Sequence, residues 1–293
     1  MAKFGEKKAV VAGTGSSIST GDFGNVQFGR EITGRETPCI GIYGAQGTGK
    51  TRLCVTASEW AEERGTVPGW LICDRKTRNT MREVCKELKV TPPLHNQEDF
   101  VDRRHALTLA TSDDIPFVMK AYSAAYQRFL NGAIALADNH QVNPIIVDSG
   151  SQLWDWIAFA HFGRKQDVGR ARQWGPPKQD WSDLFDALSD KLVLITLKSK
   201  DEWKNDNRTG RETWDGPPHL GFTTTTVVRL NIDSKRKLRA EEDENGPAET
   251  FVDRFTLDVV ESQDRKDLEG QDGVLAGSAI TLSTLMAFLR PND

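Results

Sequence analysis

Apolar residues in the 293-residue chain fall into short runs that alternate with longer stretches of helical spacing. PCIGIYG (38–44) stops at a glycine and reads as a buried first strand. KTRLCVTASEWAEERG (50–65) carries apolar residues three and four apart and ends at Gly65, as a helix with a glycine C-terminal cap does. PGWLICD reads as a second buried strand after a Pro-Gly turn, TRNTMREVCKELKV as a polar helix, and DDIPFVMKAYSAAYQRFLNGAIALADN as a long helix ending near Asn139. NPIIVDSGSQLWDWIAFAHF predicts a strand, a turn and a helix. DWSDLFDALSD predicts a helix leading into the strand DKLVLITLKSK, and TTTVVRLNID opens the last core strand. KRKLRAEEDENGPAETFVDRFTLDVVE reads as a hairpin with its turn at DENGPA, and AITLSTLMAFLR as a terminal helix. Strands alternating with helices in this way imply an α/β fold with a mostly parallel sheet flanked by helices.

Residues 1–35 stand outside the pattern. VAGTGSSISTGDFGNVQFGREITGR (11–35) is dense in Gly, Ser and Thr, lacks a sustained period, and has Phe23 and Phe28 as its only bulky anchors. The expected organisation is a flexible arm over 1–35, a core over 36–233, and a hairpin and helix over 234–293 packed on that core.

Composition narrows the partners. The 42 acidic and 38 basic residues leave a formal charge of -4, so an anionic partner must be met by a local patch and not by the whole surface. No apolar run reaches the ~18 to 20 residues a membrane helix needs, and MAKFGEKKAVVAG has too short an apolar core for a signal peptide. The expectation is a soluble cytoplasmic protein, in the host cell if the chain is phage-encoded, with no membrane partner. Cys39, Cys54, Cys73 and Cys85 form no CxxC pair and read as packing residues, and the five histidines lack ligand spacing.

The chemistry starts at GAQGTGKT: Gly44, Ala45, Gln46, Gly47, Thr48, Gly49, Lys50 and Thr51, with Arg52 following on the first helical turn. Glycines at these spacings let backbone N–H groups ring a phosphate chain, and the helix that follows presents its positive end to the same anion. Lys50 is expected to bridge the β- and γ-phosphates, and the Thr51 hydroxyl to ligate Mg2+. A phosphate loop also needs a carboxylate for that metal at the end of a neighbouring buried strand, and PIIVDS supplies Asp148. ATP and Mg2+ are therefore the expected cofactors. Ser149, not a glutamate, follows Asp148, so the residue that polarises the attacking water must come from elsewhere.

GAQGTGKT, IIVDSGSQLWDW and LVLITLKSKDEW, in that order, resemble the phage RecA-like nucleotide-binding proteins, including recombinases associated with single-strand annealing. The resemblance covers roughly residues 38–265. It implies a RecA-like P-loop core, ATPase activity, a homo-oligomeric ring or filament with ATP between subunits, and single-stranded DNA as the partner in recombination or annealing. It also implies a catalytic carboxylate at the end of the strand after the phosphate-loop helix. LICDRKT offers Asp74 there, where the family usually has Glu. The strand LVLITLKSK occupies the position of the family's γ-phosphate sensor, with Thr196 and Lys198 as candidates by alternation. Two other functions share the phosphate loop: a nucleotide or small-molecule kinase, and a nucleotide-gated binding module for replication or packaging with little turnover.

Two segments carry candidate DNA-binding residues. HFGRKQDVGRARQWGPPKQDW holds Arg164, Lys165, Arg170, Arg172 and Lys178, interleaved with His161, Phe162, Trp174 and Trp181. KSKDEWKNDNRTGRETWDGPPHLG adds Lys200, Trp203, Lys204, Arg208, Arg211 and Trp214, nearly balanced by acids. Cations neutralise phosphates and aromatic faces stack on bases. Both segments follow strands that in RecA-like proteins feed the DNA-contacting loops. The competing reading is that Trp174 and Trp181 anchor a long loop to the domain while the arginines reach a neighbour's γ-phosphate. Arg265 and Lys266 lie where oligomeric RecA-like ATPases often carry such trans-acting cations.

Overall fold

The computed structural model describes residues 37–101, 108–109, 111–164, 171–204, 207–239, 249–263, 265–277 and 280–290. The side chains of 171, 172, 204, 222, 233–239, 249–254 and 277 are outside that description. The arm expected over 1–35 also lies outside the described residues, all of which belong to one unit, Arg35–Asp293.

The fold is mixed α/β, with a mostly parallel central sheet flanked by helices. The described strands run in the order β3-β2-β4-β5-β1-β7-β8-β9, with β6 paired to β5. β1 (Cys39–Gly44) lies between β5 (Val193–Lys204) and β7 (Thr226–Arg239) and is parallel to both. β4 (Val142–Asp148) is parallel to β5 on one side and to β2 (Val67–Ile72) on the other, and the short β3 (Leu94–His95) closes that edge. β8 (Glu249–Ser262) and β9 (Gln271–Gly277) extend the other edge antiparallel.

Burial explains why the central strands read as continuous apolar runs: all of β1 is buried, and a strand covered on both faces has no polar side. Alternate residues feed opposite faces. Ile40, Ile42, Trp70 and Leu194 join one core cluster, while Tyr43, Val147, Trp181 and Ile195 join the other.

Differences from the expected elements have local causes. The helix expected over 50–65 is two pieces, α1 (Lys50–Val55) and α2 (Ala57–Glu62), meeting at Thr56. The buried Thr56 hydroxyl donates to Leu53 O at 2.6 Å and accepts from Leu282 N at 2.8 Å, so the junction is tied to the C-terminal helix. α3 (Arg75–Leu88) and α4 (Ile115–Asp138) begin at Asp74 and Asp114, each carboxylate capping its helix. α5 (Gly150–Phe162) follows β4, and α6 (Gly175–Ala187) begins before DWSDLFDALSD, directly after a 3-10 turn at Ala171–Trp174. α7 (Leu220–Thr223) is short, and α8 (Leu282–Leu289) is the terminal helix.

The division expected at 233/234 falls inside β7, which pairs with β8 from Thr226 to Arg239. The hairpin is thus a continuation of the core sheet, and its DENGPA turn lies outside the described residues. The segment after Lys198, expected as a loop, is instead a ribbon: β5 runs on to Lys204 and pairs antiparallel with β6 (Asn207–Asp215). Most of β6 is exposed, so it carries no apolar alternation to announce a strand. Among the described residues, no helix is long and apolar enough to cross a membrane.

Candidate functional site

The site sits at the carboxyl ends of β1 and β4 and beside the stretch of β5, Thr196 to Lys198, that pairs with the end of β1. Parallel register puts Gly44 beside Lys198, and Val147 beside Ile195, so Asp148 and Thr196 come one residue further along their strands. Gly49 leads the candidate phosphate loop into α1 with φ +85°, a left-handed conformation that favours glycine, and a Cβ there would lie 3.1 Å from the Phe255 ring. Lys50 folds over the loop: its Nζ donates to Gly44 O and Ala45 O, both at 2.7 Å. Burial pulls the Lys50 pKa below its usual value; Asp148 opposes that and Lys198 adds to it.

Asp148 is buried at the end of β4, and the peptide joining it to Ser149 is cis. Its Oδ2 accepts from the Thr51 hydroxyl at 3.1 Å and its Oδ1 from the Thr196 hydroxyl at 2.6 Å. Thr51 and Asp148 thus offer a hydroxyl and a carboxylate side by side. That donor set fits Mg2+, which keeps most of its ligands as phosphate oxygens and water. Thr196, 1 % exposed, fixes the rotamer of the carboxylate.

Burial raises the Asp148 pKa above the ordinary carboxylate value; the two hydroxyls and Lys50 oppose the shift, and Asp74 adds to it. In the unfolded chain the group loses its proton first as pH rises. Its contribution to stability is therefore fully present below the unfolded pKa and is lost as pH rises through the raised folded value. Urea unfolding of the ligand-free protein between about pH 4 and pH 7 should show the wild type losing stability relative to Asp148→Asn as pH rises. Parallel pH profiles for the two proteins would contradict this desolvation penalty.

Asp74 caps α3, its Oδ1 accepting from Lys76 N at 3.0 Å, and also lines the same cleft as Lys50, Thr51, Asp148, Thr196 and Lys198. That cleft encloses about 480 Å³, within the range of small-ligand sites, and Gln46, Gly47, Gly49 and Arg52 complete its phosphate-loop side. Arg52 is paired with Glu87 of α3 at 2.7 Å. Glu59, another acid near the loop in sequence, lines a different cavity.

The candidate DNA-binding residues divide sharply. Lys165 and Arg170 lie outside the described residues, as do the side chains of Arg172 and Lys204. Arg164 pairs with Asp113 at 2.8 Å, Lys200 with Asp215 at 3.4 Å, and Arg208 with Asp201. Trp181 is fully buried, and Trp174 stacks on Trp154 with ring centroids 5.5 Å apart, so one face of Trp174 is already used. This packing is the loop-anchoring role weighed above for both tryptophans. Trp203, 62 % exposed on the β5–β6 ribbon, and the exposed Arg211 present free surface instead. Burial and, after it, the Lys178 charge lower the His219 pKa, and the His219 ring meets Trp154 edge-on. Arg265 is engaged within the chain, forked at the surface onto Asp267 and donating to Phe288 O at 2.9 Å.

One residue that sequence reasoning missed is Ser151. Its hydroxyl accepts from Lys198 N at 2.9 Å and donates to Asp215 O, tying the start of α5 to both strands of the ribbon. A lone serine at the head of an apolar helix gives no signal of this.

No known protein family matches the chain, and no curated protein matches it significantly. Geometry and chemistry carry the functional reading.

Proposed function

We propose that the protein is a RecA-like P-loop ATPase of the phage type that binds single-stranded DNA in a nucleotide-dependent way and acts as a homo-oligomer in recombination or annealing. The observation that carries this reading is the convergence of Lys50, Thr51, Asp148, Thr196 and Lys198 on one cleft. Support also comes from strand order, since one strand, β5, separates the phosphate-loop strand from the Asp148 strand and carries the candidate sensors.

In this mechanism the loop amides hold the phosphate chain. Lys50 exchanges its contacts with the Gly44 and Ala45 carbonyls for phosphate oxygens. Mg2+, when bound, neutralises charge developing on the transferred group, and Thr51 and Asp148 hold it. Asp74 orients the attacking water, and Lys198, beside Gly44, meets the γ-phosphate. Because Ser151 joins Lys198 to Asp215, a shift of Lys198 on nucleotide binding is passed to the base of the ribbon, whose outer part carries Trp203 and Arg211 to meet DNA.

Phosphate release, measured with and without single-stranded DNA and with nucleoside acceptors, tests the reading. DNA-stimulated release supports it. Transfer to a nucleoside identifies a kinase, and nucleotide-dependent DNA binding with negligible release identifies a gated module. DNA affinity should fall with salt at a logarithmic slope of about -0.7 per phosphate neutralised, and Arg211→Ala should make the slope shallower by about that amount. Trp203→Ala should weaken binding by about 1 to 3 kcal/mol with little change in slope, because stacking releases no counterions. If both substitutions leave DNA binding intact while lowering ATPase activity, the ribbon serves a subunit interface.

A further inference from the structure

A second cavity, about 220 Å³, adjoins the phosphate cleft and shares Gly49 and Arg52 with it. The two differ in chemistry. The phosphate cleft is lined mainly by hydroxyls, lysines and carboxylates, whereas Leu53, Leu88, Leu230, Phe255 and Ile280 give the smaller cavity its apolar wall, with Arg52 and Glu59 on its polar side. Leu88, Phe255 and Ile280 pack against the core yet stay only partly buried, so each leaves apolar surface to the cavity. The Phe255 ring abuts the turn of the phosphate loop at Gly49, and the Arg52 guanidinium is held at the boundary between the cavities by its pair with Glu87.

We propose that this cavity takes the base of the nucleotide whose phosphates enter the loop, with Phe255 as the stacking surface. The proposal rests on the phosphate-loop reading and extends it. A nucleoside triphosphate is a polyanion joined through a sugar to a flat, largely apolar ring. A cleft of amides and cations satisfies the first part, and apolar walls opening from the same loop satisfy the second. Gly49 lies at the junction, where a side chain would meet Phe255. The site also draws in the end of the chain: Ile280 and Thr281 line the cavity, and the next residue, Leu282, is bonded through its N–H to Thr56.

The test is calorimetric titration of the full chain with magnesium-ATP and, separately, with magnesium tripolyphosphate, which has the phosphates and no base. Wild type should bind ATP more tightly than tripolyphosphate. Phe255→Ala should raise the ATP Kd about five- to a hundredfold and leave tripolyphosphate binding unchanged, which also shows that the variant is folded. Phe255→Tyr, which keeps the aromatic face, should retain ATP affinity. Equal wild-type affinity for the two ligands, or equal weakening of both by Phe255→Ala, would overturn the base site while leaving the phosphate loop standing. Binding of neither ligand by the wild type would overturn the phosphate-loop reading and this site with it.

Discussion

Lys50→Ala is expected to abolish the rise in melting temperature that magnesium-ATP gives the wild type, while leaving the ligand-free protein folded. A ligand that binds only the native state, at ~100 times its Kd, adds about 2.7 kcal/mol. For a unit of this size that corresponds to a rise of roughly 5 to 11 °C. Lys50 is the cation best placed to give that binding energy, since its Nζ already rests within 2.7 Å of two loop carbonyls. The ligand-free protein should tolerate the change. Each lost hydrogen bond is worth about 0.5 to 1.5 kcal/mol net, and removing a partly desolvated ammonium whose pKa burial lowers returns part of that. Thermal melts with and without magnesium-ATP, with circular dichroism on both proteins, give the result. An unchanged shift in a folded Lys50→Ala protein would sink the nucleotide assignment.

The parts of the molecule legible in the sequence are those whose signal is local. GAQGTGKT announces its loop because the turn demands glycine at fixed spacing. PIIVDS announces its acid because Asp148 ends an unbroken apolar run, Ile145 to Val147, that is buried on both faces of the sheet. Thr196 and Lys198 were reachable by counting along β5, since parallel register sets them opposite Ile42 and Gly44 at the end of β1. The β5–β6 ribbon was not legible, because its side chains are largely solvated and balanced in charge. The tie at Thr56 was also hidden: helical periodicity runs through it, and the hydrogen bond its hydroxyl accepts from Leu282 comes from the far end of the chain. For the aromatics of the first basic segment, composition could not separate stacking on DNA from stacking on Trp154. Only the packed helices α5 and α6 distinguish them, and they leave Trp203 as the exposed ring.

Asp148→Asn should reduce magnesium-dependent turnover, because it removes the buried carboxylate that sits against Thr51 and replaces one acceptor oxygen with a donor. Asp74→Asn should behave differently: nucleotide binding near the wild-type level, with the chemical step slowed on the order of a hundredfold or more, the scale of a positioned general base. The structure makes this second substitution discriminating. Asp74 already has a structural role, since its Oδ1 caps α3 through Lys76 N. Asparagine caps helices about as well as aspartate, so Asp74→Asn should keep α3 and its walls of the cleft intact while removing the negative charge that can accept a proton. Asp74→Ala should lose the cap as well, at about 1 kcal/mol of stability. Single-turnover phosphate release alongside urea unfolding separates the two roles. If Asp74→Asn hydrolyses ATP at the wild-type rate, Asp74 is a cap alone. Glu59 faces the neighbouring cavity and not the cleft, so an acid from an adjacent subunit would then be the next candidate to test.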